Sequence, residues 1–342
     1  MHFPTTTSPH LPRQNSVQRV MRRVLLALVP GTLLMTSILG VGVITNLVLG
    51  CLFALAFEAA SLVARGRPVP PTLTDLSALV TAWLLALALP PLSPWWLILV
   101  ANGFAIVVAK HLYGGLGYNP FNPAMVGYVV ALIAFPLEMT LWIAPAGTGV
   151  AAPGLLESLA AVFSGGAASL DGVTAATVLD AAKTEVARGR TLGEIMSGPG
   201  FGLFGGHGLE WANLAFLGGG LWLLWKRVIN WQIPVSMLAG MAVIAALFWV
   251  VDPGTYASPL FHLASGATLL GAFFIATDPV SAATTPQGRL YFGAGIGLLT
   301  YVIRTWGGYP DGVAFSVLLM NLVAPTIDYY TQPRVFGHQR GP

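Results

Sequence analysis

Few side chains in this sequence are equipped for chemistry, and most of those lie where an apolar run is interrupted. Thr174 and Thr177 close the polar stretch Asp171-Gly-Val-Thr-Ala-Ala-Thr177, which offers reachable hydroxyls for modification. Thr177 also reads as an ordinary helix cap ahead of Val178-Leu-Asp-Ala181. A second hydroxyl series, Ser265-Gly-Ala-Thr268, sits inside an apolar stretch. Asn119 and Asn122 flank Pro120-Phe121 in a segment dense in helix breakers, Tyr113 to Pro123. Their amides offer both donors and acceptors, and Gly114, Gly115 and Gly117 permit close backbone approach. The competing reading is a turn whose asparagines cap the next helix. Glu58 is an isolated carboxylate within an apolar run, where charge is expensive: it marks a cation or proton path, or a structural partner. Thr277 and Asp278 precede Pro279, so a helix-terminus role competes there with cation binding.

Other chemistries are poorly served. Cys51 is the only cysteine, so the chain forms no internal disulfide and cannot ligate an iron–sulfur cluster alone. His207 and His262 are isolated, no His or carboxylate pair has ligand spacing, and no metal site is expected. No catalytic triad stands out.

The elements that position these groups follow from composition. The chain is 55% hydrophobic and 8% charged, against roughly 25% charged for soluble domains, and its mean hydropathy is +0.74. Such a chain takes hydrocarbon as its solvent. A spanning helix needs about 20 apolar residues, and ten spans are expected near 24–40, 43–64, 74–90, 94–111, 121–137, 209–228, 232–251, 258–276, 288–305 and 311–329. The expected fold is all-α and polytopic. Residues 1–23 form an amino-terminal segment without a cleavage pattern, 24–137 a first transmembrane repeat, 138–208 a polar insert, 209–330 a second repeat and 331–342 a tail.

Basic residues set the orientation. With a cytoplasmic amino terminus, twelve of the sixteen Lys and Arg fall inside: Arg13, Arg19, Arg22, Arg23, Arg65, Arg67, Lys110, Lys226, Arg227, Arg289, Arg334 and Arg340. Only Lys183, Arg188, Arg190 and Arg304 fall outside. Both termini are therefore cytoplasmic and the insert is extracytoplasmic. The pI of 9.1 reflects this topology rather than nucleic-acid binding. Trp95, Trp96, Trp211, Trp222, Trp225, Trp231 and Trp249 form an interfacial belt near span ends, and Asp311 and Asp328 bracket the last span.

Asp75-Leu-Ser-Ala78 through Leu89-Pro-Pro-Leu-Ser93 can be laid on His262-Leu-Ala-Ser265 through Asp278-Pro-Val-Ser281, and Gly114-Gly115 then falls near Gly307-Gly308. With five spans each, the two halves run in opposite senses, as inverted repeats, and a site is expected where they meet. The breakers there leave backbone groups that hydrocarbon does not tolerate unless a ligand, a partner or water satisfies them.

Gly271-Ala-Phe-Phe-Ile-Ala-Thr-Asp-Pro-Val-Ser-Ala282, Gly307-Gly-Tyr-Pro-Asp-Gly-Val-Ala-Phe-Ser-Val-Leu-Leu-Met-Asn321, Ala324-Pro-Thr-Ile-Asp328 and Pro333-Arg-Val-Phe-Gly-His338 occur in that order. In these motifs, and from about Arg19 to His338, the chain resembles the D-type membrane subunit of Rnf ion-translocating electron-transport complexes. That family is related to the B-type membrane subunit of the sodium-pumping NADH:quinone reductase.

The resemblance implies a ten-helix flavoprotein of the bacterial inner membrane that carries FMN through a threonine phosphoester on its periplasmic side. It implies a subunit of a translocase, incomplete alone, whose partners include iron–sulfur and flavin membrane subunits. The complex moves electrons between NADH and ferredoxin-type carriers, coupled to Na+ or H+ movement, and a flavin transferase matures the D-type chain. The family's acceptor pattern, Ser/Thr-Gly/Ala-Ala-Thr with the last Thr modified, is met by Thr174-Ala-Ala-Thr177, with Ala175 where Gly is frequent. Ser265-Gly-Ala-Thr268 matches more literally, but a transferase and a charged phosphate cannot reach an apolar span. Thr177 is therefore the expected acceptor, and Lys183, Arg188 and Arg190 either hold phosphate oxygens or are solvated charges. The related sodium-pump protein holds non-covalent riboflavin partly through an Asn-x-x-Asn pair. Asn119-Pro-Phe-Asn122 has that spacing, with Gly114 and Gly115 nearby and Thr277 and Asp278 as further contacts. A secondary transporter or channel without a redox cofactor is the alternative reading, and a passive scaffold a third.

Overall fold

Lipid leaves a backbone only two ways to satisfy its polar groups, helices and closed barrels, and this chain takes the first. The computed structural model describes residues 16–165, 170, 172–309 and 311–332. Asp171, Pro310, the motif Pro333 to His338, and Arg13, Arg334 and Arg340 lie outside the described residues. The helices are α1 (Val17–Leu39), α2 (Gly42–Ala64), α3 (Val69–Leu73), α4 (Ser77–Ala88), α5 (Trp95–Gly103, continued as a π-helix over Phe104–His111), α6 (Pro123–Ala134), α7 (Pro136–Thr140) and α8 (Leu155–Ser164). They continue as α9 (Val178–Ala187), α10 (Leu192–Met196), α11 (Leu209–Trp225), α12 (Gln232–Val251), α13 (Pro259–Ala264), α14 (Thr268–Leu270, continued as a π-helix over Gly271–Ile275), α15 (Pro286–Trp306) and α16 (Val313–Tyr330). Among the described residues, β-pairing is limited to two isolated bridges, Ile143 with Thr174 and Phe201 with Gly206.

Four helices, α1, α2, α12 and α16, are long and apolar enough to cross a membrane. The first starts earlier than hydropathy suggests, because Ser16 caps it by accepting from the Arg19 N–H at 3.4 Å. Several expected spans are shorter or broken. The 74–90 stretch forms only the 12-residue α4, about 18 Å long against a hydrocarbon core of about 30 Å. The 258–276 stretch divides into α13, α14 and its π-helical continuation, interrupted where Gly266 takes φ 61°.

Small residues set how closely the helices approach. Helix α1 packs on α11 and α12 on α15. A Cβ on Gly219 would strike the Ala27 carbonyl, and one on Gly297 the Met237 carbonyl. With no hydrophobic drive between helices in lipid, such backbone contact supplies dispersion energy that larger residues would forfeit. Helix α6 packs against both the π-helical part of α5 and α16, which brings the two halves together.

The insert sits at one end of the bundle. The Ala146 N–H donates to the Ile38 carbonyl at 2.8 Å, and Lys183 donates to the Gly307 carbonyl, so the carboxyl ends of α1 and α15 share that end. Helices α9 and α10 enclose a small core of their own, with Leu179, Ala182, Leu192 and Ile195 against Ala257 and Phe261.

Candidate cofactor and cation sites

At the end away from the insert, the breaks in the helices enclose a cleft whose empty volume, open mouth included, is about 850 Å³, within the range of small-molecule sites. Asn119, Asn122, Thr277 and Asp278 all line it, together with the apolar side chains Val24, Leu84, Phe273 and Phe274. Four of the six residues expected near a second flavin thus share one wall system. Gly114 and Gly115 do not line it: their φ values are 135° and 100°, and Gly115 faces Arg67 and His111 instead.

The asparagines also have structural work. Asn122 caps α6 by accepting from the Met125 N–H at 3.2 Å, donates from its amide to the Ile275 carbonyl at 3.1 Å, and gives its backbone N–H to Asn321 Oδ1 at 3.0 Å. Asn321 in turn donates to the Ser281 carbonyl at 3.0 Å. Asn46 donates to the Pro90 carbonyl and Asn213 to the Ala264 carbonyl, each at 2.7 Å. Buried amides of the chain therefore satisfy these carbonyls at the helix breaks, a supply the composition alone does not announce. Asn119 donates to the Phe121 carbonyl at 3.1 Å, Thr277 to the Phe273 carbonyl at 2.8 Å, and Asp278 accepts from Ser281 Oγ at 2.7 Å.

Behind one wall of the cleft lies a charged cluster. Glu58 is fully buried, and Lys110 Nζ donates to its two oxygens at 2.8 and 2.9 Å. His111 Nε2 stands 3.1 Å from the same carboxylate. Lys110 also donates to Ser77 Oγ at 2.8 Å, and Ser77 donates to Asp75 Oδ1 at 2.5 Å. Arg65 and Arg67 donate to the His111 and Gly114 carbonyls, each at 2.9 Å. Lys110, counted on the cytoplasmic side by its charge, is only 2% exposed. The reason is backbone register: the widened turn of the π-helix, which recurs at functional sites, brings the sequence neighbours Lys110 and His111 to one carboxylate. Sequence reasoning found Glu58 but missed its partners. The available signal was a Lys-His pair ending an apolar run. Arg304 likewise is buried, donating to Asp311 at 3.0 Å and to the His262 carbonyl at 2.8 Å.

At the other end, Thr177 occupies the N-cap of α9 and accepts from the Asp180 N–H at 3.3 Å. Its side chain is half-buried, while Thr174, Ala175 and Ala176 are exposed. The segment is pinned beside Trp142-Ile-Ala144, since the Ala175 N–H donates to the Trp142 carbonyl and the Ala144 N–H to the Val173 carbonyl. Thr268, by contrast, is fully buried and donates to the His262 and Ser265 carbonyls at 2.8 and 3.1 Å. The three cations that follow Thr177 are engaged within the protein. Arg188 and Arg190 pair with Glu185 at 2.6 and 3.1 Å, and Lys183 bonds the Gly307 and Tyr309 carbonyls. Burial pushes the Lys183 ammonium below its usual range, against the pull of Asp180. Beneath α9, a second cleft of about 680 Å³ is walled by Lys183, Tyr256, Phe261, His262, Tyr301 and Trp306.

A family model described as NQR2, RnfD, RnfE matches residues 4–337. The chain belongs to the NQR2, RnfD, RnfE family. Among its relatives, the D subunit of the ion-translocating oxidoreductase complex from Ectopseudomonas mendocina (strain ymp) is 60% identical over 99% of this chain and 97% of that protein. The protein of the same name from Vibrio cholerae serotype O1 is 51% identical, and that from Escherichia coli O7:K1 is 49% identical, each along its full length. Family members thus share the chain's full extent, and both clefts lie inside the matched region.

Proposed function

We propose that this chain is the D-type membrane subunit of an Rnf-type ion-translocating oxidoreductase complex in the bacterial inner membrane. It carries FMN covalently on Thr177 and a non-covalent riboflavin in the cleft lined by Asn119 and Asn122. Electrons pass between NADH and ferredoxin-type carriers through the whole complex, coupled to Na+ or H+ movement with Glu58 in the ion path. Ten spans in two inverted repeats, both termini cytoplasmic and the insert periplasmic, complete the reading. The paired packing of α1 with α11 and of α6 with α16 supports the repeat. Full-length likeness to proteins named as D subunits of such a complex supports the assembly.

The observation that carries the flavin assignment is the contrast between the two threonines. Thr177 stands at the start of a ten-residue helix in a polar insert, whereas Thr268 is sealed in the bundle. A phosphoester at an N-cap places its negative oxygens where free N–H groups and the helix dipole favour them. The aromatic cleft beneath α9 suits the flat ring of such a group, and the chain's own part is to position it and tune its electrostatics. For riboflavin, Asn122 holds the shape of the cleft, and Asn119, Thr277 and Asp278 supply polar edges against the apolar wall. The bound flavins supply one-electron transfer.

The test is mass spectrometry of the peptide containing Thr177 from native membranes. One flavin mononucleotide moiety on Thr177, lost in Thr177→Ala, is expected. An unmodified Thr177 in a host that possesses the transferase returns the chain to the transporter reading.

A further inference from the structure

Lys110 faces two environments. Its ammonium is bound by both oxygens of Glu58 and by Ser77, yet Lys110 and Ser77 also line the cleft that contains Asn119, Asn122 and Asp278. A cation in the cleft wall therefore has its countercharge directly behind that wall. With Lys110 only 2% exposed and Glu58 fully buried, little water screens either charge. Any negative charge entering the cleft must draw on the same ammonium that neutralises Glu58.

We propose that Lys110 is a positioning residue that couples charge in the cleft to cation uptake at Glu58. This rests on the reading that the cleft holds a flavin. One electron arrives in the cleft from a one-electron donor of the complex, an iron–sulfur or flavin centre of a partner protein. No covalent bond to the chain forms or breaks, and Lys110 keeps its proton while its charge is shared toward the cleft. Glu58, then undercompensated, takes up one monovalent cation, Na+ or H+, so the net charge of the buried volume is unchanged. The charged groups facing Glu58 are Lys110 and His111 directly and Asp75 through Ser77. Arg65 and Arg67 stand beyond them on the His111 and Gly114 carbonyls.

The experiment is an electrochemical titration of the full chain carrying Thr177→Ala, so that only non-covalent flavin contributes. Denaturation comes first: a preparation that releases no flavin overturns the cleft reading and this proposal with it. Flavin that is present but fails the shifts below overturns this proposal alone. Adding Lys110→Met is expected to lower the reduction potential, and adding Glu58→Gln to raise it. A tenfold rise in the coupling cation should raise the parent potential by about 59 mV, the value for one cation per electron, and Glu58→Gln should abolish that slope. Titrating Na+ at fixed pH, and pH at fixed Na+, distinguishes the two cations. Shifts of the same sign, or none, overturn the coupling. If Lys110→Met fails to accumulate, Glu58→Gln combined with Lys110→Met leaves no unpaired charge. Its potential should lie below that of Glu58→Gln alone, and equality overturns the proposal.

Discussion

Replacing Lys110 with Met isolates the electrostatic content of the buried cluster. Met keeps most of the apolar stem, so the packing loss is small; what disappears is the ammonium at 2.8 and 2.9 Å from the Glu58 oxygens. Glu58, with no exposed surface, is left with His111 Nε2 at 3.1 Å as its remaining close partner. Breaking a buried pair from one side typically costs about 3–5 kcal/mol, because a charge remains uncompensated in a medium that solvates it poorly. Removing both charges, as Glu58→Leu with Lys110→Met, leaves an apolar contact and is expected to recover most of that loss. The assay is unfolding in mixed micelles of increasing dodecyl sulfate fraction, followed by tryptophan fluorescence, across the double-mutant cycle. A cost below about 1 kcal/mol for Lys110→Met, or a double variant whose loss is the sum of the two singles, refutes the reasoning.

Three further outcomes follow from single features. Glu210 is 3% exposed and accepts from the Leu203, Phe204 and Gly205 N–H groups at 3.2, 3.0 and 3.1 Å. Glu210→Ala should therefore cost about 1–3 kcal/mol and open the 202–205 loop to protease, and an unchanged cleavage rate counts against it. Gly297→Ala forces α15 away from α12 at the Met237 carbonyl, an overpacking cost of about 1–3 kcal/mol that should lower the thermal midpoint in detergent. Arg190, with Arg188, holds the Glu185 carboxyl below the usual carboxylate range. A depressed folded pKa means the stabilisation is present above the unfolded value of 4.5 and lost as pH falls through the folded one. Limited proteolysis of the α9 region should accelerate on acidification below pH 4.5, and Glu185→Gln should flatten that dependence.

The sequence made the solvent of this chain legible, because hydrocarbon tolerates so few compositions. Helices α1, α2, α12 and α16 follow from apolar length alone. The irregular segments between spans were legible too, since Tyr113 to Pro123 carries glycine and proline and Ala276 to Ser281 carries proline. The cap at Asn122 and the cap at Thr177 follow from residue type and the helix behind each. What escaped was pairing across sequence distance. Glu58 and Lys110 are 52 residues apart, and their meeting depends on a π-helical turn that no hydropathy pattern announces. Arg304 and Asp311 are close in sequence, yet a positive residue near a span end reads as a surface charge until its burial is seen.

The broken helices pose the harder physical question, and the asparagines answer it. A carbonyl freed inside a lipid-facing bundle costs about as much as any lost hydrogen bond in an apolar medium. Water, ligand or partner can meet that cost only while present. The amides of Asn46, Asn122, Asn213 and Asn321 meet it permanently, at Pro90, Ile275, Ala264 and Ser281. Each comes from an element other than the one broken, so every bond also fixes the distance between two elements. The cleft is consequently held open by the protein's own hydrogen bonds. Asn122 and Asn321 tie α6 and α16 to the two sides of the Thr277-Asp278 turn, and through them the wall that carries Lys110 keeps its place relative to the wall that carries Asp278. A rigid frame of this kind lets a charge placed in the cleft act on Glu58 electrostatically, without the helices having to move first.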